Sequence, residues 1–344
     1  MSTLSLNGLS LVPIDPSDED AIRQCYELHC EIASVDRPDD PPPCWVHTLG
    51  SFRNPWPGGL QITWLARVAG TVVGSCALDL PMLDNVYNAG GDIVVAPGYR
   101  CRGVGRLLLE HLRVEAARQS RIRLVVWVGQ PLDPAAPDPA GRFAAAAGAL
   151  PALVQTRRRL AVDSVDPAVL AQLYAPAQVR ASSAGYSVVQ WVGGTPRQWL
   201  DGMAYLTARM STDAPLEELQ WDAENYDAAR MQARDTSCLA CGLHMVTTAA
   251  LDATGELVAF TQLVGDTTSR WFAWQWDTIV APEHRGHRLG TLIKVANLEF
   301  ARAQRPELRV IDTCNADSNP YMVAINEAMG FRPYRRAIDW QLDL

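Results

Sequence analysis

The 344-residue sequence contains no apolar run approaching the roughly 18–20 residues that a membrane span needs, which excludes a chain built on transmembrane helices. Its start, Met1-Ser2-Thr3-Leu4-Ser5, lacks the basic and apolar regions of a secretion signal, so a cytoplasmic protein is expected. Charge is sparse, at 20% of residues, and tilts acidic: 30 basic against 38 acidic side chains, a formal −8. No basic stripe offsets that balance, so neither a nucleic acid nor an anionic membrane surface is expected as partner. The densest basic run, Arg157-Arg158-Arg159, reads as a solvated strand edge. Cysteines are scattered at 25, 30, 44, 76, 101, 238, 241 and 314, without the clustering of a disulfide scaffold. The one CxxC, Cys238-Leu239-Ala240-Cys241, has no second ligand pair, so no metal site is expected and the thiols read as buried. The dinucleotide fingerprint and the Walker loop are missing as well.

What the sequence does contain is itself, twice. Gly91-Asp92-Ile93-Val94-Val95-Ala96-Pro97-Gly98-Tyr99-Arg100 is matched by Trp276-Asp277-Thr278-Ile279-Val280-Ala281-Pro282-Glu283-His284-Arg285. Asp92/Asp277, Pro97/Pro282, Arg100/Arg285 and Gly105/Gly290 keep one offset of 185 positions, as do Gly70/Gly255 and Val73/Val258. A constant offset means equal element lengths, and a period this long means duplicated domains rather than a solenoid. The expected domains are 1–165 and 185–344, with 166–184 between them; Ala175 to Gly185, rich in Ala, Ser and Pro, reads as linker.

Each half has the same order of elements. In the first, a strand at Leu9–Ile14 precedes a helix over about 17–32, a proline-rich loop and a hairpin (62–68 and 72–80) turning at Ala69-Gly70. A strand ends at Val95, and a helix follows with Val104, Leu107, Leu108 and Leu112 on one stripe. A further strand covers 121–128. The second half repeats this with a strand at 186–192, helices within 197–235 and a hairpin at 244–264. A strand then ends at Val280, ahead of a helix carrying Leu289, Leu292, Ile293 and Ala296 and a strand at 308–312. Hairpins followed by a strand–loop–helix crossover predict an α/β fold with a mixed sheet rather than a purely parallel one.

The informative piece is the loop between strand and helix. Arg100-Cys101-Arg102-Gly103-Val104-Gly105 combines glycines, which let backbone approach a ligand, with a helix start offering free N–H groups and a positive dipole end. That is a pyrophosphate-binding device. Its second copy, 185 residues on, is Arg285-Gly286-His287-Arg288-Leu289-Gly290.

Val-x-Pro-x-x-Arg-x-x-Gly-x-Gly between a strand and an amphipathic helix resembles the acyl-CoA-binding motif of the GCN5-related N-acetyltransferase (GNAT) superfamily. Val95, Pro97, Arg100, Gly103 and Gly105 match in full. Val280, Pro282, Arg285 and Gly290 match in the second half, with Arg288 in place of the middle glycine. The resemblance covers nearly the whole chain as two tandem GNAT domains of actinobacterial type, distantly similar to mycothiol synthase. It implies acetyl-CoA or another acyl-CoA as cofactor, held by Val95, Arg100, Cys101, Arg102, Gly103, Val104 and Gly105. In the second copy the corresponding residues are Val280, Arg285, Gly286, His287, Arg288, Leu289 and Gly290. It further implies acyl transfer to an amine, assisted by a general base and by an acid for the departing thiolate.

A later motif separates the halves. Of the family pattern Asn-x-x-Ala-x-x-x-Tyr-x-x-x-Gly-Phe, Asn319, Gly330 and Phe331 match, but Asn326 stands at the tyrosine and cannot act as an acid. Asn319 is also a good N-cap, with Pro320 at N1. The first half has only Pro137 and Ala144 at the matching positions, so the chemistry is expected in the second half. Asn319, Asn326 and Asp277 are the expected catalytic residues. Asp277 is a base if desolvated, or a brace for the loop, as its repeat Asp92 suggests. His284 and His287 are expected to contact CoA or solvent. Glu224 and Asp227, read as lying on a polar helix, are either substrate contacts or a solvated face. Cys314 has no histidine near it in sequence, so a cysteine-bound acyl group is discounted. The expected activity is direct acetyl transfer to a primary amine of a small molecule. A CoA-binding pseudoenzyme serving as sensor or scaffold, and a mycothiol-synthase-like acetyltransferase, are the alternatives. The oligomeric state is not legible in the sequence.

Overall fold

A computed structural model describes residues 8–344; the Met1–Ser5 stretch read for a secretion signal lies outside them. The chain begins β1 (Leu9–Pro13), α1 (Glu19–Asp36), α2 (Trp45–Arg53), β2 (Gly59–Val68), β3 (Thr71–Pro81) and β4 (Asn88–Val95). It continues through α3 (Val104–Arg118), β5 (Arg123–Gln130), α4 (Pro139–Ala146), β6 (Leu150–Ala161) and α5 (Pro167–Ser183). Then come β7 (Ser187–Val192), α6 (Leu200–Asp213), α7 (Ala228–Ala240), β8 (His244–Leu251), β9 (Leu257–Gly265) and β10 (Phe272–Val280). The last elements are α8 (Leu289–Gln304), β11 (Val310–Ala316), α9 (Pro320–Met329) and β12 (Arg332–Asp343). Among the described residues no helix is long and apolar enough to cross a membrane.

Two compact units are present. One holds residues 8–128, Gly141–Pro151 and Asp339–Leu344; the other holds Gly129–Ala140 and Ala152–Ile338. Short segments near each half's end therefore belong to the other half's unit, unlike the contiguous 1–165 and 185–344 expected.

In the first unit β1, β2, β3 and β4 are antiparallel neighbours and β5 is parallel to β4. The β2–β3 hairpin turns on Ala69 (φ 48°) and Gly70 (φ 83°), both left-handed as a two-residue turn requires. Helix α1 lies on one face, where His29 meets Ser75 of β3. Helix α3 lies on the other, with Leu108 and Val104 over Gly74. Leu107, expected on the buried stripe, is 39% exposed. The buried stripe is instead Val104, Leu108, Leu112 and Ala116, a strict four-residue repeat.

In the second unit the order is β6-β11-β10-β9-β8-β7, with β10 and β11 parallel and the other neighbours antiparallel. Helices α5 and α8 share one face, and α6 and α7 the other. The 175–185 stretch read as linker is the end of α5, and the expected 166–184 connection is almost wholly helical. Asp166 caps it, and Leu170, Ala177 and Ala181 are buried. Alanine, read as a linker residue, is the strongest helix former when its face can pack, here against Leu289, Leu292 and Ile293 of α8. Glu224 lies in the irregular 214–227 connection rather than on a helix, and Asp227 is the N-cap of α7.

The Arg157–Arg159 run is a second correction. Strand β6 pairs with β11 in the register Arg159↔Asp312 and Arg157↔Cys314. Both guanidiniums converge on Asp312, whose side chain is fully buried; Arg157 is 4% exposed and Arg159 18%. Arg158, pointing to the opposite face, lies 3.6 Å from Glu327. A carboxylate 153 residues downstream supplies the compensation that makes burial tolerable, and sequence proximity gives no hint of it.

Candidate functional site

The strand–loop–helix motif folds the same way in both units, at the predicted offset. Strands β4 and β10 run into short 3-10 turns at Pro97–Tyr99 and Pro282–His284, followed by α3 and α8. Each loop has two residues in the left-handed region at matching positions: Cys101 (φ 56°) and Gly103 (φ 90°) in the first, Gly286 (φ 84°) and Arg288 (φ 58°) in the second. Each has one glycine among them, at alternate places. Arg288 thus reproduces the backbone of the glycine it replaces, at a strain of about 1–2 kcal/mol for a residue bearing a Cβ. Leu289 and Val104 bury their side chains, leaving backbone to face a ligand. Helix geometry leaves the N–H groups of the first turn, Leu289 to Thr291, without intrahelical acceptors. A Cβ on Gly286 would meet nothing within 4 Å, so the loop's outer surface is open.

The two motif arginines are braces. Arg285 donates from Nε to the Val280 carbonyl (3.2 Å) and from its terminal nitrogen to Asp213 of α6 (2.7 Å). Arg100 does the same with Val95 (3.1 Å) and with both oxygens of Asp36 at the end of α1 (2.8 and 2.7 Å). These guanidiniums fix the loop's shape, Arg285 while remaining half exposed; Arg288 and Arg102 are further exposed cations of the loops. His284 is engaged by the Tyr186 hydroxyl at 2.9 Å, and the His287 ring lies 5.1 Å from the Tyr186 ring. His287 Nδ1 is buried with no hydrogen-bond partner among the described residues.

Below the loop the parallel strands part. Strands β10 and β11 pair only over Phe272–Trp274 with Val310–Asp312, and β10 is irregular between Gln275 and Thr278. The first unit repeats the divergence: β4 and β5 pair over Asn88–Gly90 with Arg123–Val125. Parallel strands that part beneath an open helix N-terminus suit an extended ligand with an anionic end. In the first turn of α8, a Cβ added to Gly290 would stand 3.4 Å from Ile325 of α9 and 3.9 Å from Val280.

The expected catalytic residues occupy unequal positions. Asp277 is partly exposed, with Oδ2 at 3.5 Å from the buried Arg234 guanidinium of α7, which sits 5.5 Å from the Trp276 ring. Asn319 caps α9, accepting from the Met322 N–H at 3.2 Å. Asn326 is completely buried; its Nδ2 donates to Asn315 of β11 at 2.6 Å, while its Oδ1 has no partner among the described residues. Tyr321 is 84% exposed. Cys238 and Cys241 are buried, and burial pushes the Cys238 thiol up to about 11, as suits inert thiols. Arg234, Asp213, Asp36 and Tyr186 were not legible as site residues, because nothing local marks them.

A solved tandem GNAT protein from the clavulanic acid biosynthesis pathway, without AcCoA, is 34% identical, over 97% of this chain and 98% of that one, with a TM-score of 0.82. The chain belongs to the GNAT acetyltransferase family, in its tandem form. The Acetyltransferase (GNAT) domain family profile matches residues 59–143, within the first half of this GNAT chain. Among curated proteins, mycothiol acetyltransferase of Cellulomonas flavigena is 36% identical over 128 residues. That stretch is 34% of each chain, so the GNAT chain spans about a third of the curated relative it matches. The fold alone is shared with the glucosamine N-acetyltransferase region of a fungal multi-domain β-N-acetylglucosaminidase, at 15% identity over 97% of this chain and 38% of that one, TM-score 0.66.

Proposed function

We propose that this GNAT chain transfers an acetyl group, or a related acyl group, from acyl-CoA to a primary amine of a small molecule, with the chemistry in the second unit. The observation carrying this reading is the open, left-handed loop of Gly286–Gly290 at the head of α8, standing over the divergence of β10 and β11. Acyl-CoA would supply the activated thioester. The chain's own part is to hold and to move protons. The amides of residues 286–290 and the positive end of α8 suit a pyrophosphate, with Arg288 beside them. Arg285 and Asp213 keep that loop in shape. Asp277, on β10 beyond its pairing with β11, takes the proton from an ammonium acceptor at Oδ, and Arg234 orients it. Asn319 caps α9 and Asn326 ties it to β11, rather than exchanging protons.

One observation favours the first unit instead. Partial desolvation raises the carboxyl of Asp79 above its ordinary value, although its side chain stays exposed and accepts from Gln61 at 2.6 Å. Asp79 faces Gly90, the last β4 residue paired with β5, and Asp92 contributes to its shift. Two carboxylates there would suit a cationic amine.

Calorimetric titration with acetyl-CoA, repeated on Gly105→Glu and Gly290→Glu, decides between the units. Loss of binding only in Gly290→Glu is the expected result; loss only in Gly105→Glu places the site in the first unit, and no wild-type binding removes acyl transfer altogether. Thiol release from acetyl-CoA across a panel of amines, amino-sugar thiols included, then separates an enzyme from a CoA-binding scaffold.

A further inference from the structure

Lys294 is the single lysine among 344 residues. It sits on α8, one turn beyond Gly290 on the same face, and is 2% exposed. At the 185-residue offset, the first unit has Leu109 in its place. A helix rises about 6 Å over four residues, which puts Lys294 deeper along the divergent strands than the loop that suits a pyrophosphate.

The amine lies 5.8 Å from the centre of the Phe331 ring, and the Phe331 N–H donates to the carbonyl of Asn326. Asn326 bonds Asn315, three residues beyond the last β11 residue paired with β10, and leaves its own Oδ1 unpartnered among the described residues. Among the described residues no carboxylate comes within 4 Å of the Lys294 amine.

The titratable groups on the elements around α8 are Tyr174 and Arg180 of α5, His244 of β8, Asp277 of β10, Asp312 and Cys314 of β11, and Tyr321 and Glu327 of α9; β7 and β9 carry none. Asp277, Asp312 and Glu327 are held by arginines. Helix α8 itself adds Glu299 and Arg302, with Arg288 as its N-cap. Burial alone lowers the Lys294 ammonium, to about 7. An unpaired ammonium that exchanges its proton near neutrality is costly to keep in a core, and a leucine suffices in the first unit.

We propose that the Lys294 amine meets the sulfur end of bound acyl-CoA and is the acid that protonates the departing thiolate. This rests on acyl transfer occurring in the second unit. As the acceptor nitrogen forms its C–N bond, the C–S bond breaks and its electron pair stays on sulfur. The Lys294 N–H bond breaks, an S–H bond forms on the released CoA, and the neutral amine recovers a proton from water before the next turnover. Asn326, with no ionisable proton, leaves this task to α8.

Because Lys294 is the only lysine, a full-length protein labelled with 13Cε-lysine gives one side-chain signal that reports its ionisation directly. The signal is titrated from pH 5 to 9.5 alone, with CoA, and with desulfo-CoA, whose binding is checked by calorimetry. The expected result is an upward shift of the midpoint by about half a pH unit or more with CoA and no comparable shift with desulfo-CoA, since only a thiolate favours the ammonium. CoA binding to the second unit with the same Lys294 titration for both ligands overturns the assignment and leaves the acyltransferase reading standing. Failure of CoA to bind, or binding that survives Gly290→Glu, removes that reading and this inference with it. In turnover, Lys294→Met is expected to keep acetyl-CoA affinity within twofold while kcat falls about 100-fold and the alkaline limb near pH 7 disappears. A kcat within threefold of wild type with that limb intact overturns the proposal.

Discussion

Asp312→Asn isolates one electrostatic interaction in the core of the second unit. Asn keeps the shape of the side chain and removes its charge, leaving Arg157 and Arg159 to face one another at 4% and 18% exposure. Both lie over the Tyr334 ring, at 5.2 and 3.7 Å, and Arg157 also lies 4.6 Å from the Trp274 ring. Such contacts contribute about 0.5–2 kcal/mol each and do not replace an anion. Removing one partner of a buried ion pair costs about 3–5 kcal/mol, because the remaining charge is left uncompensated. At about 2–4 °C per kcal/mol for a domain of 150–250 residues, the second unit's transition should fall by roughly 10 °C. Scanning calorimetry is the suitable assay, since two units need not unfold in one step. The companion variant Arg157→Met/Asp312→Leu/Arg159→Met removes every charge together and is expected within about 2 kcal/mol of wild type, or above it. A loss below about 1 kcal/mol in Asp312→Asn would refute the reasoning, showing that water already compensates both guanidiniums.

Burial depresses the His29 ring below the ordinary histidine value, with Ser75 Oγ at 3.3 Å from Nε2. The unfolded chain therefore binds the extra proton first, so the first unit should lose stability as pH falls below about 6.5. His29→Gln should flatten that slope in urea melts at pH 7 and pH 5. Gly265→Ala would place a Cβ 2.9 Å from the Phe272 carbonyl and into the Arg305 guanidinium, itself held by the Asp266 and Ser269 carbonyls. The expected cost is about 1–3 kcal/mol, read as a lower urea midpoint for the second unit.

Local chemistry determined a good deal by itself. The 185-residue offset fixed matching strands, turns and helices because each depends on residues a few positions apart. The β2–β3 turn at Ala69-Gly70, the Asn319 cap and the loops ahead of α3 and α8 are all of this kind. The alanine-rich 175–185 stretch misled because its helix is stabilised by burial against α8, a contact made more than 100 residues away. What only the tertiary structure decided is which polar side chains are committed and which are left over. Arg285 is tied to Asp213, Asp277 to Arg234, Asn326 to Asn315 and the Arg157–Arg159 run to Asp312. The packing of α8 leaves Lys294 buried with no carboxylate within ion-pair reach among the described residues. Charge compensation and desolvation act through space, so a side chain's protonation and availability follow from partners brought together by the fold.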